Sequence, residues 1–548
     1  MSESRARNVV LMSLDTLRYD AVSACPEKTH LRAYGLEDLP DTPNLDEFFG
    51  EALYFPTALS PIPLTTPAHA SVFTGLYPGR HGARALFKWA VADGVTNLAE
   101  ELGPKGYETV AVLQTPEEHF LNAGTGVLRG FEHVFADVFD ACEHCAAAGR
   151  PVLLFIHTFD IHTPYCWSFD EDVRKHFAPR REAVEELAAK VGLEGRGNAE
   201  ELESMEWNMG FYKRAWQAAR ERYRGEKAVA LFLRWYCRGV NWFDRASWRR
   251  TRRALRECGL YDESLTVLFS DHGEAARPDA EGHPLLHIDT LLEDNLRVPV
   301  AFRGEGIEPG VRLGTGSLVD VAPTVMDWLG MEPVSLGRRG RLDGRSLLSQ
   351  PEDDGRCYFA ESWTRNATLS PARTGYAPSL EEFIEEVWTP AQGSITRGHT
   401  KLVWHPGPYR LERFWQRERG TPKRLGRRAR RWLRNHLPGP VVRAVKACLA
   451  AVRWVRRRLM VTAGDPGERL RSWRQAPVFA FDLGEDPLEE KPVRLTADEL
   501  AAPPYADLLD RLRNYWQEGV VGPQIKLDVD EDTDEEVLQR LRDLGYAE

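Results

Sequence analysis

Residues 8–20, NVVLMSLDTLRYD, set an apolar run against a carboxylate, Asp15, at its end. A run that is apolar on both faces reads as a parallel strand covered by helices on either side. In open α/β sheets, ligands sit just past the carboxyl ends of such strands. Residues 265–274, LTVLFSDHGE, repeat the arrangement with Asp271 and His272 in the terminal position. An ionisable pair directly after Val-Leu-Phe is expensive unless paired or metal-bound, so the two distant segments are suited to sharing one ion. Between them, residues 63–75, PLTTPAHASVFTG, form a hydroxyl-rich turn with Pro67 suited to the first positions of a helix. A helix start offers free N–H groups and the positive dipole end to an anion, and Thr65 beside it would face both ion and substrate. The outline is that of an anionic-ester hydrolase.

The rest of the chain extends this α/β reading. Residues 1 to about 170 alternate short apolar runs (Val9 to Leu14, Thr109 to Leu113, Val152 to Ile156) with helix-like segments, the pattern of a parallel sheet wrapped by helices. Residues 171–258 carry Glu, Arg, Ala and Trp at helical spacing and read as a helical insertion, with 240–260 as one long helix leading to the Asp271 strand. A catalytic unit is therefore expected over 1–350. From 351 to 520 short strand-like runs (CYFAESW, GSITRGHTKLVWH, PVFAFDLGEDP) predict a small antiparallel sheet, and 521–548 an acidic tail with a short helix. A basic insertion at 410–474 interrupts the last two runs. There Val441, Val445, Cys448, Val452, Val455 and Leu459 follow helical spacing, while arginines and a lysine fall mainly on other faces.

The 548 residues, 43% of them hydrophobic, allow a large core, and the net charge of -11 argues against general nucleic-acid binding. The 8 cysteines include Cys142 and Cys145, a lone close pair without a second half, so reduced thiols are expected. MSESRARN leads straight into a strand without the apolar stretch of a signal peptide, and the expected location is cytoplasmic. The basic helix reads either as solvated charge around a packing stripe or as a peripheral attachment to an anionic inner-membrane surface or a protein partner.

Several segments in order resemble the sulfatase family of the alkaline phosphatase superfamily: NVVLMSLDTLRYD, DTPNLDEFF, PLTTPAHASVFTGLYPGRHGA, FDIHTPY, LYDESLTVLFSDHGE, HIDTLLEDNLRVPV, HTKLVWHP, FAFDLGEDPLEE and the closing VLQRLRDLGY. The resemblance implies a three-layer α/β/α alkaline-phosphatase-like domain with a small C-terminal α/β subdomain. It also implies a metal set of Asp15, Thr65, Asp271 and His272 holding one divalent ion. His272 stands where many sulfatases have Asn, which favours Mn²⁺ or Zn²⁺ over Ca²⁺. The chain departs from the family at the reactive position: sulfatases oxidise a Cys or Ser there to formylglycine, with Arg four residues on, whereas this chain has Thr65 and His69. Oxidised threonine is a ketone, so no formylglycine is expected. Residues 108–119, ETVAVLQTPEEH, also lack the family's Lys-Trp-His segment.

Thr65 as nucleophile resembles the phosphodiesterase, phosphoglycerol-transferase and phosphomutase branches, with Thr66 as the helix cap; the alternative makes Thr65 itself a cap. His69 either packs or holds a substrate oxygen. His162 matches the family's active-site histidine with Asp160 as its orienting partner, and His287, or less so His283, would protonate the leaving oxygen. Arg80 and His81 read as structural. The expected activity is metal-dependent hydrolysis or transfer of phosphate or phosphonate esters. The alternatives are a sulfuric-ester hydrolase using unmodified Thr65, or a weakly catalytic member acting as a scaffold through 410–474.

Overall fold

The computed structural model describes residues 7–519, less 194–200, 276–286, 349–354, 364–391, 405–477 and shorter breaks. The basic insertion at 410–474, the acidic tail at 521–548 and His283 lie outside the described residues. Eight of the described strands form one sheet: β1 (Asn8–Leu14), β2 (Leu53–Leu59), β3 (Glu108–Leu113), β4 (His133–Phe135), β5 (Val152–Thr158), β6 (Ser264–Phe269), β7 (Arg297–Arg303) and β8 (Gly310–Val311). Their order is β4-β3-β5-β1-β6-β7-β2-β8. β1 lies between β5 and β6, parallel to both, so Asp15 and Asp271 leave neighbouring strands at the same edge. The expected parallel sheet is in fact mixed: β7 runs antiparallel to both β6 and β2.

The pleat of β1 divides the interior. Val9 and Leu11 join one apolar core, with Ala68, Val72 and Phe73 of the Thr65–Thr74 helix and Val321, Ala322 and Val325 of the Val321–Trp328 helix. Val10, Met12 and Leu14 join another, with residues of the helices Pro43–Gly50, Val138–Ala147, Met205–Arg222, Glu226–Phe243 and Arg249–Glu257. Helices thus cover both faces of the sheet, and the domain has the three layers expected of the alkaline phosphatase type. The long helix expected over 240–260 is broken by a π turn at Asp244–Trp248. That turn brings the Asp244 carboxylate to the start of the Pro43–Gly50 helix, where it accepts from the Leu45 N–H at 2.7 Å and from Asn44 Nδ2 at 2.8 Å.

β9 (Tyr358–Ser362), β10 (Gln392–Arg397), β11 (Thr400–Trp404), β12 (Val478–Asp482) and β13 (Val493–Arg494) form the second sheet, antiparallel throughout, as expected. The helix Tyr505–Gly519 packs on it. Lys401 of β11 ties this sheet to the first: its Nζ, fully buried, lies 2.7 Å from Glu293 Oε1 and 2.7 Å from Glu489 Oε1. Among the described residues no helix is long and apolar enough to cross a membrane, and six cysteines are free thiols.

Candidate functional site

Register brings the first acid into place. Leu14 pairs with Thr158, and the next N–H, that of Asp15, donates to the Thr158 carbonyl at 3.2 Å. Asp271 follows β6, and its Oδ1 accepts from the N–H groups of Thr16 (3.2 Å) and His272 (2.9 Å), which turns Oδ2 toward Asp15. Gly273 lets this turn close, because a Cβ there would fall 2.1 Å from the Asp294 carbonyl oxygen. The Nδ1–H of His272 donates to the Gly273 carbonyl at 2.9 Å, leaving its Nε2 lone pair for the site. That nitrogen lies 3.3 Å from Thr65 Oγ1, 3.5 Å from Asp271 Oδ2 and 3.9 Å from Asp15 Oδ1. Thr65 opens its helix without capping it, and Thr66, expected as the cap, donates instead to the Leu86 carbonyl at 3.1 Å.

Asp15, Thr65, Asp271 and His272 are all 0% exposed, and candidate ligand atoms of Asp15, Asp271 and His272 lie within 4.8 Å of one another. Both Asp15 oxygens and Asp271 Oδ2 are buried with no hydrogen-bond partner. Two close carboxylates with three oxygens that nothing donates to make an unfavourable arrangement by themselves. Burial, reinforced by Asp271, pushes the Asp15 carboxyl well above its ordinary value. At Asp271 burial acts in the same upward sense, but His272, His69 and His157 outweigh it and the net direction is downward. The orphaned oxygens and the adjacent imidazole fit a divalent cation, which would supply the missing positive charge.

The other histidines surround this cluster. His69 is fully buried beneath it: its Nδ1–H donates to the Thr65 carbonyl and its Nε2 meets Ser13 Oγ, each at 2.8 Å. Burial, then His157, lowers His69 to about 3. His287 lies beside His272, ring centroids 4.3 Å apart, and its Nδ1 is 3.0 Å from Glu274 Oε1. Burial lowers His287 to about 4 and raises Glu274 to about 8. His162, lowered to about 3 by burial and then by His287, stands 5.6 Å from the His287 ring. Its Nδ1–H goes to the Thr163 carbonyl at 3.1 Å, while the Asp160 carboxylate accepts from Gln114 Nε2 at 2.8 Å. Away from the site, His81 holds Ser71 Oγ at 3.0 Å and Arg80 pairs with Asp343.

Three groups escaped the reading of the sequence. Glu274 is the end of the quoted DHGE segment, and Tyr165 Oη donates to its Oε2 at 3.0 Å. His157, the last residue but one of β5, is paired in register with Ser13, and His119 closes the stretch where the family's Lys-Trp-His segment is missing. A histidine at the carboxyl end of a buried strand was the available signal.

The sulfatase family profile matches residues 7–146 and 136–331, more than half of the chain. The chain belongs to the sulfatase family. The sulfatase-family match is accompanied by similarity to the multifunctional alkaline phosphatase superfamily protein PehA of Trinickia caryophylli, 33% identical over 97 residues, 17% of each chain. Arylsulfatase K of Bos taurus is 32% identical over 96 residues, 17% of this chain and 16% of that protein. The matched stretches therefore span about a sixth of these relatives. In fold, the sulfatase-family chain is similar to a phosphonate monoester hydrolase of Agrobacterium radiobacter (TM-score 0.51, 17% identity, 94% of this chain and 100% of that one). It is also similar to BT4656 in complex with D-glucosamine-2-N,6-O-disulfate (TM-score 0.54, 14% identity, 97% and 100%). The protein is a sulfatase-family member of mixed α/β architecture.

Proposed function

We propose that this sulfatase-family chain is a metal-dependent hydrolase of phosphate or phosphonate esters with Thr65 as its nucleophile, and a transferase where an alcohol replaces water. The observation that carries the reading is the Thr65 hydroxyl 3.3 Å from His272 Nε2, at the edge of a buried acid pair with orphaned oxygens. A divalent ion held by Asp15, Asp271 and His272, with Mn²⁺ or Zn²⁺ favoured by the imidazole, would lower the pKa of the threonine hydroxyl and offset charge on a non-bridging substrate oxygen. Thr65 Oγ1 attacks phosphorus in line, forming a P–O bond as the bond to the leaving alcohol breaks. His287 gives the leaving oxygen its Nε2 proton as the Glu274 carboxyl, raised to about 8 by burial, passes its own proton to His287 Nδ1, while His162 assists departure by binding the ester. Water then attacks phosphorus as the bond to Thr65 Oγ1 breaks, one water proton reloads the His287–Glu274 pair, and phosphate or phosphonate departs. His69 supports the nucleophile from below by holding the Thr65 carbonyl.

Threonine at position 65 disfavours the sulfatase reaction, because its oxidation product has no aldehyde hydrate to attack sulfur. The names of two similar proteins, a phosphonate monoester hydrolase and an alkaline phosphatase superfamily protein, agree with phosphoryl chemistry. Metal analysis of the purified protein, combined with rates on p-nitrophenyl phosphate, bis-phosphate, phosphonate and sulfate esters, tests the reading. Copurified transition metal and preference for a phosphorus ester are expected. Faster turnover of the sulfate ester would overturn it.

A further inference from the structure

At the far end of the sheet, three side chains from separate elements converge without any role in the site above. Glu108 opens β3, His133 opens the edge strand β4, and His144 lies in the Val138–Ala147 helix. Val110 pairs with His133, which places the start of β4 next to the start of β3. His133 Nε2 lies 3.1 Å and His144 Nε2 2.7 Å from the same oxygen, Glu108 Oε1, and the two rings are 4.4 Å apart. The catalytic cluster lies past the other end of these strands: Leu113, the last residue of β3, pairs with His157. Five residues of strand, about 17 Å at the usual rise, separate Glu108 from that end.

We infer that Glu108, His133 and His144 form a second transition-metal site, for Zn²⁺ or an ion of similar preference, independent of the Asp15–Asp271–His272 cluster. All three candidate ligand atoms lie within 4.8 Å of one another. A tetrahedral zinc about 2.0–2.1 Å from each ligand keeps those ligands roughly 3.3 Å apart, so the two measured oxygen–nitrogen separations need open by only a few tenths of an ångström. Two imidazoles and one carboxylate suit a borderline ion, whereas Ca²⁺ and Mg²⁺ want mostly oxygen. The Glu108 side chain is 6% exposed and those of His133 and His144 are 44% and 32% exposed, which leaves a side open for water as fourth ligand.

The local charge supports a dication. Arg150 Nε holds the other Glu108 oxygen at 2.6 Å, and Arg150 also reaches Glu132 Oε2 at 2.6 Å. Two carboxylates against one guanidinium leave a net negative charge, and Oε1 stays directed at the histidines. Without the ion, the two Nε2 protons fill its place. With it, the edge strand and the helix would be pinned together through one centre.

Stoichiometry provides the test. The full chain, stripped with a chelator and retitrated with Zn²⁺ against a chromogenic competitor, should take two equivalents. The double variant His133→Gln/His144→Gln should take one and keep ester turnover when loaded, and Glu108→Gln should weaken the outer site more than tenfold. Asp271→Ala should retain the outer equivalent, which separates failure of this site from failure of the catalytic reading. In the unaltered protein, Zn²⁺ should shield His133 and His144 from diethyl pyrocarbonate, mapped by mass spectrometry, whether or not the variants fold. Unchanged labelling, or a folded double variant that binds Zn²⁺ like the wild type, would overturn the inference.

Discussion

His157 directs its Nε2 at Asp15 Oδ2 from 3.5 Å, both side chains fully buried. The proton on that nitrogen follows from a chain of bonds. The Leu121 N–H donates to His119 Nδ1 at 3.1 Å, so neutral His119 carries its proton on Nε2, which points at His157 Nδ1 from 3.3 Å. His157, lowered to about 4 mainly by burial, therefore keeps its own proton on Nε2, facing the carboxylate. A residue that orients a ligand typically contributes ten- to a hundredfold in metal affinity. His157→Ala should accordingly weaken metal binding by about tenfold or more in a chelator-competition titration, with His119→Ala following in the same direction. Equal affinity in both variants would show that Asp15 is set by its backbone alone.

Thr65→Ala should abolish turnover of a phosphorus ester and leave metal occupancy largely intact, since Asp15, Asp271 and His272 remain. The hydroxyl does not cap its helix, so the stability loss should stay below about 1 kcal/mol. Thr65→Ser should restore measurable activity. Full activity in Thr65→Ala, measured on protein free of contaminating hydrolase, would remove threonine from the chemistry.

Lys401 offers a different readout. It is fully buried between Glu293 and Glu489, and Lys401→Met leaves two buried carboxylates facing each other, at a cost of about 3–5 kcal/mol in denaturant unfolding. Adding Glu293→Gln and Glu489→Gln to Lys401→Met should recover most of that loss. If the single variant is as stable as the parent, the triad contributes nothing net.

Acid sensitivity has a definite sign at His81. Its pKa is lowered to about 3 by burial and then by Arg84, so between its unfolded value near 6.5 and that figure the unfolded chain binds the extra proton. Stability from the neutral ring is complete above the unfolded pKa and is lost as pH falls through this window, at up to about 1.4 kcal/mol per pH unit. His81→Gln should flatten the acid limb of urea midpoints measured between about pH 7 and about pH 5. Parallel acid limbs would assign the sensitivity to the other buried histidines.

The strand ends were legible because unbroken apolar runs stop at charged residues, which is how Asp15, Asp271 and His272 could be placed together before any coordinates. The place of Thr65 at a helix start was legible from the proline and hydroxyls of its turn. The inward turn of His69 was not, since either role suits a histidine one helical turn past Thr65 and only the Ser13 hydroxyl on a neighbouring strand decides where Nε2 points. His119 and His157 depend on β3 lying beside β5 and β5 beside β1, an order that local sequence does not encode. The reversed direction of β7 and the π turn at Asp244–Trp248 likewise come from tertiary packing, which overrides local periodicity.

The second sheet has a consequence for how the chain can be cut. Ile395, Leu402, Trp404, Leu512, Tyr515 and Trp516 belong to the same apolar cluster as Phe73, Tyr77 and Val319, and Tyr77 meets Phe359 and Tyr515 edge-on, with centroids at 5.5 and 5.6 Å. No seam separates the two sheets on that side. A fragment ending near residue 350 would strip apolar cover from the layer that carries Thr65, so it should be recovered as aggregate, and the intact protein should lose both sheets in one cooperative transition. Exchanging C-terminal portions between relatives would then succeed only where this shared interior is exchanged with them.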